Sequence, residues 1–203
     1  ARDTAQLIAQ VAPQGADVLG WSMGGYIAQE LALGAPTRVR RLVLASTDCG
    51  GPSTLPPTAA ALDTLTNPAA TTAQRMAILF PPDQMAAAGA WSAAIGVAYA
   101  QSDFQPTNAF EVSAAVAQAQ AQAAGPRWLG KGKGTCARLG RIGQPTLIAA
   151  GKDDIVVPAR NHVALASGIR HRTTRLYSDA GHAFLFQPAL GFTDVVEEFL
   201  ARR

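Results

Sequence analysis

Gly20-Trp21-Ser22-Met23-Gly24, with Gly25 behind it, follows Ala16-Asp17-Val18-Leu19 and precedes Tyr26-Ile27-Ala28-Gln29-Glu30-Leu31-Ala32-Leu33. The segment before it reads as a short buried strand and the segment after it as a helix. A serine between glycines has a physical reason to stand at such a junction. The turn from strand to helix is tight enough that side chains at both flanking positions would meet neighbouring backbone, while the hydroxyl is held up and exposed. The stretch is therefore read as a nucleophile elbow. G-x-S-x-G alone recurs by chance; the strand before it and the helix after it make it specific.

Working outward, residues 4–11 read as a short amphipathic helix stopped by Pro13 and Gly15. The elbow helix ends at Gly34-Ala35-Pro36, and residues 39–46 form a strand whose continuous apolar end suits burial on both faces. Strand, helix and strand in this order imply a parallel sheet. From Asp48 to about residue 134 the character changes to an alanine- and glutamine-rich tract without a convincing strand. Helices are expected over residues 59–65, 72–80, 85–99 and 109–123, separated by Pro68, Pro81-Pro82 and Pro106. Met76, Ile78, Leu79, Phe80, Trp91, Ile95, Val97 and Tyr99 give this tract enough apolar surface to pack. Residues 125–134 read as a glycine-rich loop returning the chain to the sheet. Strands at residues 145–150 and 172–177 then alternate with helices at 159–167 and 194–201. The expected division is an α/β core over residues 1–51 and 135–203, with a helical insertion over 52–134.

Composition narrows the function classes. The chain has 203 residues, 48% hydrophobic and 15% charged, enough to bury a sizeable core. No stretch approaches the roughly 18 apolar residues of a membrane span, and no secretory signal is visible at the start. The formal charge is +3, but the basic residues are scattered and lack aromatic interleaving, so they read as a solvated surface without a nucleic-acid partner. Cys49 and Cys136 have no metal spacing and are expected as two free thiols in a reducing, cytoplasmic compartment. Neither a metal nor an organic cofactor is expected.

A serine hydroxyl needs a base to take its proton, and the imidazole that serves needs an acid to hold its tautomer. In an open parallel sheet the C-terminal strand ends converge on one edge, so later residues can reach the serine there. Gly151-Lys152-Asp153-Asp154 and Gly181-His182 each leave a strand at that edge. His162, inside an expected helix, and His171, in a basic loop, read as ordinary exposed histidines.

The three motifs, Gly20-Trp21-Ser22-Met23-Gly24-Gly25, then Gly151-Lys152-Asp153-Asp154 with Pro158, then Gly181-His182-Ala183-Phe184, together resemble the α/β-hydrolase family. Within it they resemble the bacterial esterase, enol-lactonase and cofactor-free haloperoxidase-like members. The resemblance covers the sheet portions, with the helical tract in the place of that family's variable cap. It implies Ser22 as nucleophile, His182 as general base, Asp154 as the orienting acid and the Met23 backbone N–H as one oxyanion donor. Asp153 and Asp48 stay open as alternative acids. Trp21 and Met23 are candidates for lining the substrate pocket, though packing under the elbow explains them equally well. A nucleophilic serine argues against the haloalkane dehalogenase and epoxide hydrolase branches, which use aspartate.

One departure from the family stands out. Its fold places several strands before the elbow, and a loop there supplies the second oxyanion N–H; only one helix precedes the elbow in these residues. They are therefore expected to be the C-terminal part of a longer hydrolase, whose other strands come from a missing segment or a companion chain. Two readings follow: a serine hydrolase of a small ester, lactone or thioester, or a hydrolase-like binding or scaffold protein with a half-built oxyanion hole.

Overall fold

Along β2 (Val39–Ala45) the side chains of Leu42 and Leu44 join one apolar cluster and those of Val43 and Ala45 join another. A strand that is apolar at every position must have a layer on each face, and the structure supplies both. A computed structural model of the chain describes residues 1–52, 54–67, 69–101, 113–128 and 132–202. Its sheet has four strands in the order β1 (Ala16–Trp21), β2, β3 (Thr146–Gly151), β4 (Arg172–Tyr177), and all pairings are parallel. Helices α1 (Arg2–Val11) and α2 (Met23–Gly34) cover one face through Ile8, Ala28, Leu31 and Ala32. The other face packs on Phe184 and on Phe192 and Phe199 of α8 (Phe192–Ala201).

The α/β architecture read from the motifs is the one observed. β1 runs on to Trp21 and α2 begins at Met23, so Ser22 is the single residue between strand and helix. β1 lies at one edge of the four-stranded sheet, with Leu19 46% exposed.

Between β2 and β3 lie α3 (Ala59–Thr66), α4 (Thr72–Leu79), α5 (Met85–Ala100) and α6 (Ala114–Trp128). Thr58 caps α3, and Thr71 and Gln74 form a reciprocal capping box on α4, which starts these helices where the sequence places them. The helix expected over 109–123 is displaced. It begins at Ala114 and continues through Gly125 and Pro126 to Trp128, because the preceding alanine and glutamine run carries strong helix propensity into what read as loop. Residues 109–112 of that expected helix lie outside the described residues. α7 (Asn161–Gly168) follows β3.

The expectation of two free thiols is overturned: Cys49 and Cys136 are joined in a disulfide, and the described residues include no free cysteine. Residues 87 positions apart in sequence meet because both ends of the helical insertion return to the C-terminal end of β2, a closeness that sequence spacing does not reveal. The bond also removes the premise of the cytoplasmic expectation, since such links persist in oxidising compartments. No helix among the described residues is long and apolar enough to cross a membrane.

Closing a loop of this length restricts the unfolded chain, which on the chain-entropy account is worth about 4.6 kcal/mol. Non-reducing tryptic digestion is expected to yield residues 42–75 linked to residues 134–138. Reduction, or Cys49→Ser with Cys136→Ser, is expected to lower the urea midpoint, and an unlinked digest from non-reduced protein would contradict the bond.

Candidate active site

Ser22 sits at φ 54°, ψ −123°, a conformation that non-glycine residues rarely adopt. Its N–H is fixed by Ala45 O at 2.9 Å and its carbonyl accepts from Gly25 N at 2.9 Å, so both neighbouring strand and following helix hold the turn. Close approach enforces Gly20, where a Cβ would lie 2.5 Å from Gly24 O and 2.8 Å from Ala28 Cβ. The clash expected at Gly24 falls one residue later: Gly24 has open space, whereas a Cβ on Gly25 would lie 2.4 Å from Thr47 Oγ1. The helix therefore packs on the end of β2 through Gly25. At the first position of α2, the Met23 N–H has no acceptor within its own helix and stands at the positive end of the helix dipole.

Asp154 and His182 are brought together. His182 Nδ1 donates to Asp154 Oδ2 at 2.8 Å, and both side chains are buried. The other oxygen of Asp154 accepts from Val156 N at 2.9 Å and Val157 N at 2.7 Å, so a three-residue turn solvates the carboxylate. With Nδ1 engaged, Nε2 is the ring nitrogen left to take a proton. Trp21 Nε1 donates to the carbonyl of His182 at 2.9 Å, and its ring lies 5.4 Å from the imidazole. Among the described residues no hydrogen bond joins Ser22 Oγ to His182.

The two alternative acids are occupied elsewhere. Asp153 accepts from Ala180 N at 3.3 Å, tying the acid loop to the loop that carries His182. Asp48 is buried and accepts from Tyr26 Oη at 3.1 Å and Gly50 N at 2.6 Å. Burial raises the Asp48 carboxyl above its ordinary range, with Asp154 nearby adding to the rise. Burial also raises the Tyr26 phenol, and the neighbouring Asp48 adds to that. Trp21 contacts Trp91 and Phe186 edge-on at 6.5 and 5.3 Å, and Trp91 stacks on Phe186 at 4.8 Å. Trp21 thus joins insertion, elbow and histidine loop in one aromatic cluster. Met23 is half-buried at the start of α2.

His162 departs from its expected exposure. It is 8% exposed at the start of α7, its Nδ1 lies 3.2 Å from Ala159 O, and its Nε2 has no hydrogen-bond partner among the described residues. Burial lowers its pKa to about 4, and the nearby Asp154 opposes that lowering while His182 adds to it. Nothing in the local sequence marks it, since the groups that act on it include Asp154 from the loop eight residues upstream and His182 from the loop after β4. His171, by contrast, is exposed as expected. Among the described residues no group of three or more His, Cys, Asp or Glu side chains is placed to hold a metal ion.

A family model described as the alpha/beta hydrolase fold matches residues 1–189. Over 190 residues the chain is 30% identical to the 2-hydroxy-6-oxononadienedioate/2-hydroxy-6-oxononatrienedioate hydrolase of Paraburkholderia xenovorans (strain LB400), covering 91% of this chain and 61% of that protein. A shorter match, 50% identical over 44 residues, covers 22% of this chain and 17% of a pimeloyl-acyl-carrier-protein methyl ester esterase of Yersinia enterocolitica. Among solved structures, a hydrolase from Pseudomonas aeruginosa PA01 aligns with TM-score 0.69 at 28% identity, over 99% of this chain and 70% of that one. The chain spans 61% of the length of the first of these relatives.

The buried His162 sets a pH dependence of stability. Its pKa is about 4 when folded against about 6.5 unfolded. Between these values the unfolded state binds more protons, so stability is lost as pH falls from about 6.5 towards 4, by roughly 3 kcal/mol in all. Asp48, raised on folding, acts with the opposite sign and is present in both proteins compared. Urea titrations across this window are expected to show a flatter slope in His162→Gln than in the parent; equal slopes would contradict the burial.

Proposed function

The chain belongs to the α/β-hydrolase family, and from that premise we propose that it is a serine hydrolase of a small carboxylic ester, lactone or thioester. The observation that carries this reading is the buried 2.8 Å His182–Asp154 pair at the same sheet edge as a serine held at φ 54°. In the proposed reaction Ser22 Oγ attacks the carbonyl carbon as His182 Nε2 takes its proton. Asp154 holds the imidazole by its Nδ1–H and stabilises the imidazolium that forms. The tetrahedral oxyanion accepts from the Met23 N–H at the start of α2, a kind of contact whose removal typically costs about 3 kcal/mol of transition-state stabilisation. Collapse expels the alcohol or thiol, which takes the proton from His182. Water, deprotonated by the same imidazole, then releases the acid and restores Ser22. Closing of Nε2 onto Oγ accompanies substrate binding, as catalytic hydrogen bonds commonly tighten in the occupied site.

The helical insertion over residues 52–134 serves in this reading as the cap, with Phe80, Trp91 and Phe186 supplying an apolar wall beside Trp21. A second substrate class has its own support: the 30% identity to a 2-hydroxy-6-oxononadienedioate hydrolase makes a 2-hydroxy-6-oxo dienoate acid the alternative substrate.

A fluorophosphonate probe is expected to label the protein, and Ser22→Ala to abolish labelling. Asp154→Asn is expected to lower ester turnover by about 10³- to 10⁴-fold, because it favours the wrong imidazole tautomer. Labelling that survives Ser22→Ala would overturn the reading. Turnover of a 2-hydroxy-6-oxo dienoate in preference to a p-nitrophenyl ester series would move the substrate class but keep the nucleophile.

A further inference from the structure

At the opposite edge of the sheet, a cavity of about 570 Å³ is lined by Arg41, Arg170, His171, Arg172, Phe199 and Arg202 together with smaller neighbours. No acidic side chain lines it. The residues come from the start of β2, the approach to β4 and the end of α8, so the sequence shows them only as scattered charges. Parallel register gathers them: Leu42 pairs with Thr146 and Thr146 with Arg172, which sets positions 41, 145 and 171 side by side.

Four guanidinium groups around one cavity repel one another unless anions intervene. The carboxylates within reach are few and committed. Asp17 lies 3.0 Å from Arg40 and 4.0 Å from Arg41, and Glu198 lies 2.7 Å from Arg202. Arg172 Nη1 donates to the carbonyls of Ile169 at 3.2 Å and Arg170 at 3.5 Å, and Arg41 donates to the carbonyl of Arg202. Carbonyl contacts orient a guanidinium without neutralising it. Arg170 and Arg172 have no carboxylate partner among the described residues, and the rest of their N–H donors are free for a ligand.

We propose that this cavity is a binding site for a small organic phosphate, held by Arg170, Arg172 and Arg41 and seated on Phe199. Guanidinium forks match phosphate oxygens two at a time, which favours phosphate over a halide or a single carboxylate. The volume falls in the range of small-molecule sites, and the buried Phe199 offers the organic part an apolar surface. The site is separate from Ser22. The six residues of β4 alone span roughly 17 Å from the cavity to the catalytic edge.

Isothermal titration calorimetry with adenosine triphosphate and with inorganic phosphate, at low ionic strength, tests the assignment on the disulfide-intact chain. Saturable binding of adenosine triphosphate is expected, with weaker binding of inorganic phosphate. Arg170→Gln with Arg172→Gln is expected to weaken it by at least about tenfold, while the circular dichroism melt and the Ser22 probe labelling stay as in the parent. Both arginines are exposed, and Arg172 is held through the carbonyls of Ile169 and Arg170, so folding of the double variant is expected; single variants serve if it fails. No saturable binding, or binding unchanged in the arginine variants, overturns the proposal. Binding to phosphatidic acid vesicles without binding to either soluble phosphate also overturns it, assigning the arginines to a lipid headgroup instead.

Discussion

An ionisable carboxylate taken out of water must be given hydrogen bonds or it costs several kcal/mol. Asp154, with no exposed side-chain surface, receives three donors: the N–H groups of Val156 and Val157 and Nδ1 of His182. The turn that supplies two of them presents its own side chains outward. Val156 and Val157 pack with Ala61 and Ile78 of the helical insertion. Ile155 O accepts from Thr58 N at 2.9 Å, and Asn161 clasps both backbone groups of Leu55. The residues that satisfy the acid are thus the residues that seat the insertion. A displacement of either would unsettle the other.

A second clamp lies one strand away. Beyond β2, Asp48 binds Tyr26 and Gly50, its carbonyl accepts from Gln29 Nε2 at 2.8 Å, and Gln29 Oε1 accepts from Thr135 at 2.6 Å. The Cys49–Cys136 bond closes the same circuit covalently. Both ends of the insertion are therefore held to the elbow helix α2. Among the described residues three non-glycine residues with positive φ, Ser22, Ser46 and Asp179, follow β1, β2 and β4 at this one edge. Such conformations cost of order 1–3 kcal/mol each and persist only where surrounding contacts over-determine them. Ser22 N–H donates to Ala45 O, Ser46 N–H donates to Ala149 O, and the Asp179 carbonyl accepts from Gln187 Nε2.

The strands and most helices were legible because their signals are local. β4 was read at its observed bounds, and α2, α3 and α4 to within a few residues, from apolar period, capping residues and proline stops. The elbow was legible for the same reason, although its tight glycine contact proved to involve Gly25 rather than Gly24. What stayed hidden depends on chain ends meeting in space. The disulfide joins residues 87 apart, and His162 is buried by segments that its own neighbourhood does not announce. Asp154 and Asp153 differ by the geometry of one turn: Asp154 accepts from His182 and Asp153 from Ala180 N.

Parallel topology explains why chemistry and charge separate to opposite edges. Every strand delivers its C-terminal end to one edge, where Ser22, Asp154 and His182 follow β1, β3 and β4. Every N-terminal end goes to the other, where Arg41, Arg170 and Arg172 stand beside Phe199 of α8 and Arg202, the residue that follows it. Carboxylates dilute only part of the guanidinium cluster: Glu198 pairs with Arg202, and Asp17 pairs with Arg40 and lies 4.0 Å from Arg41. The positive charge at Arg170 and Arg172 is left standing. It stands roughly 17 Å from the edge that carries Ser22, beyond the screening length of about 8 Å at physiological ionic strength. A cationic cavity so placed is screened from the edge that carries Ser22, Asp154 and His182, and the ligand proposed for it would bind independently of that edge.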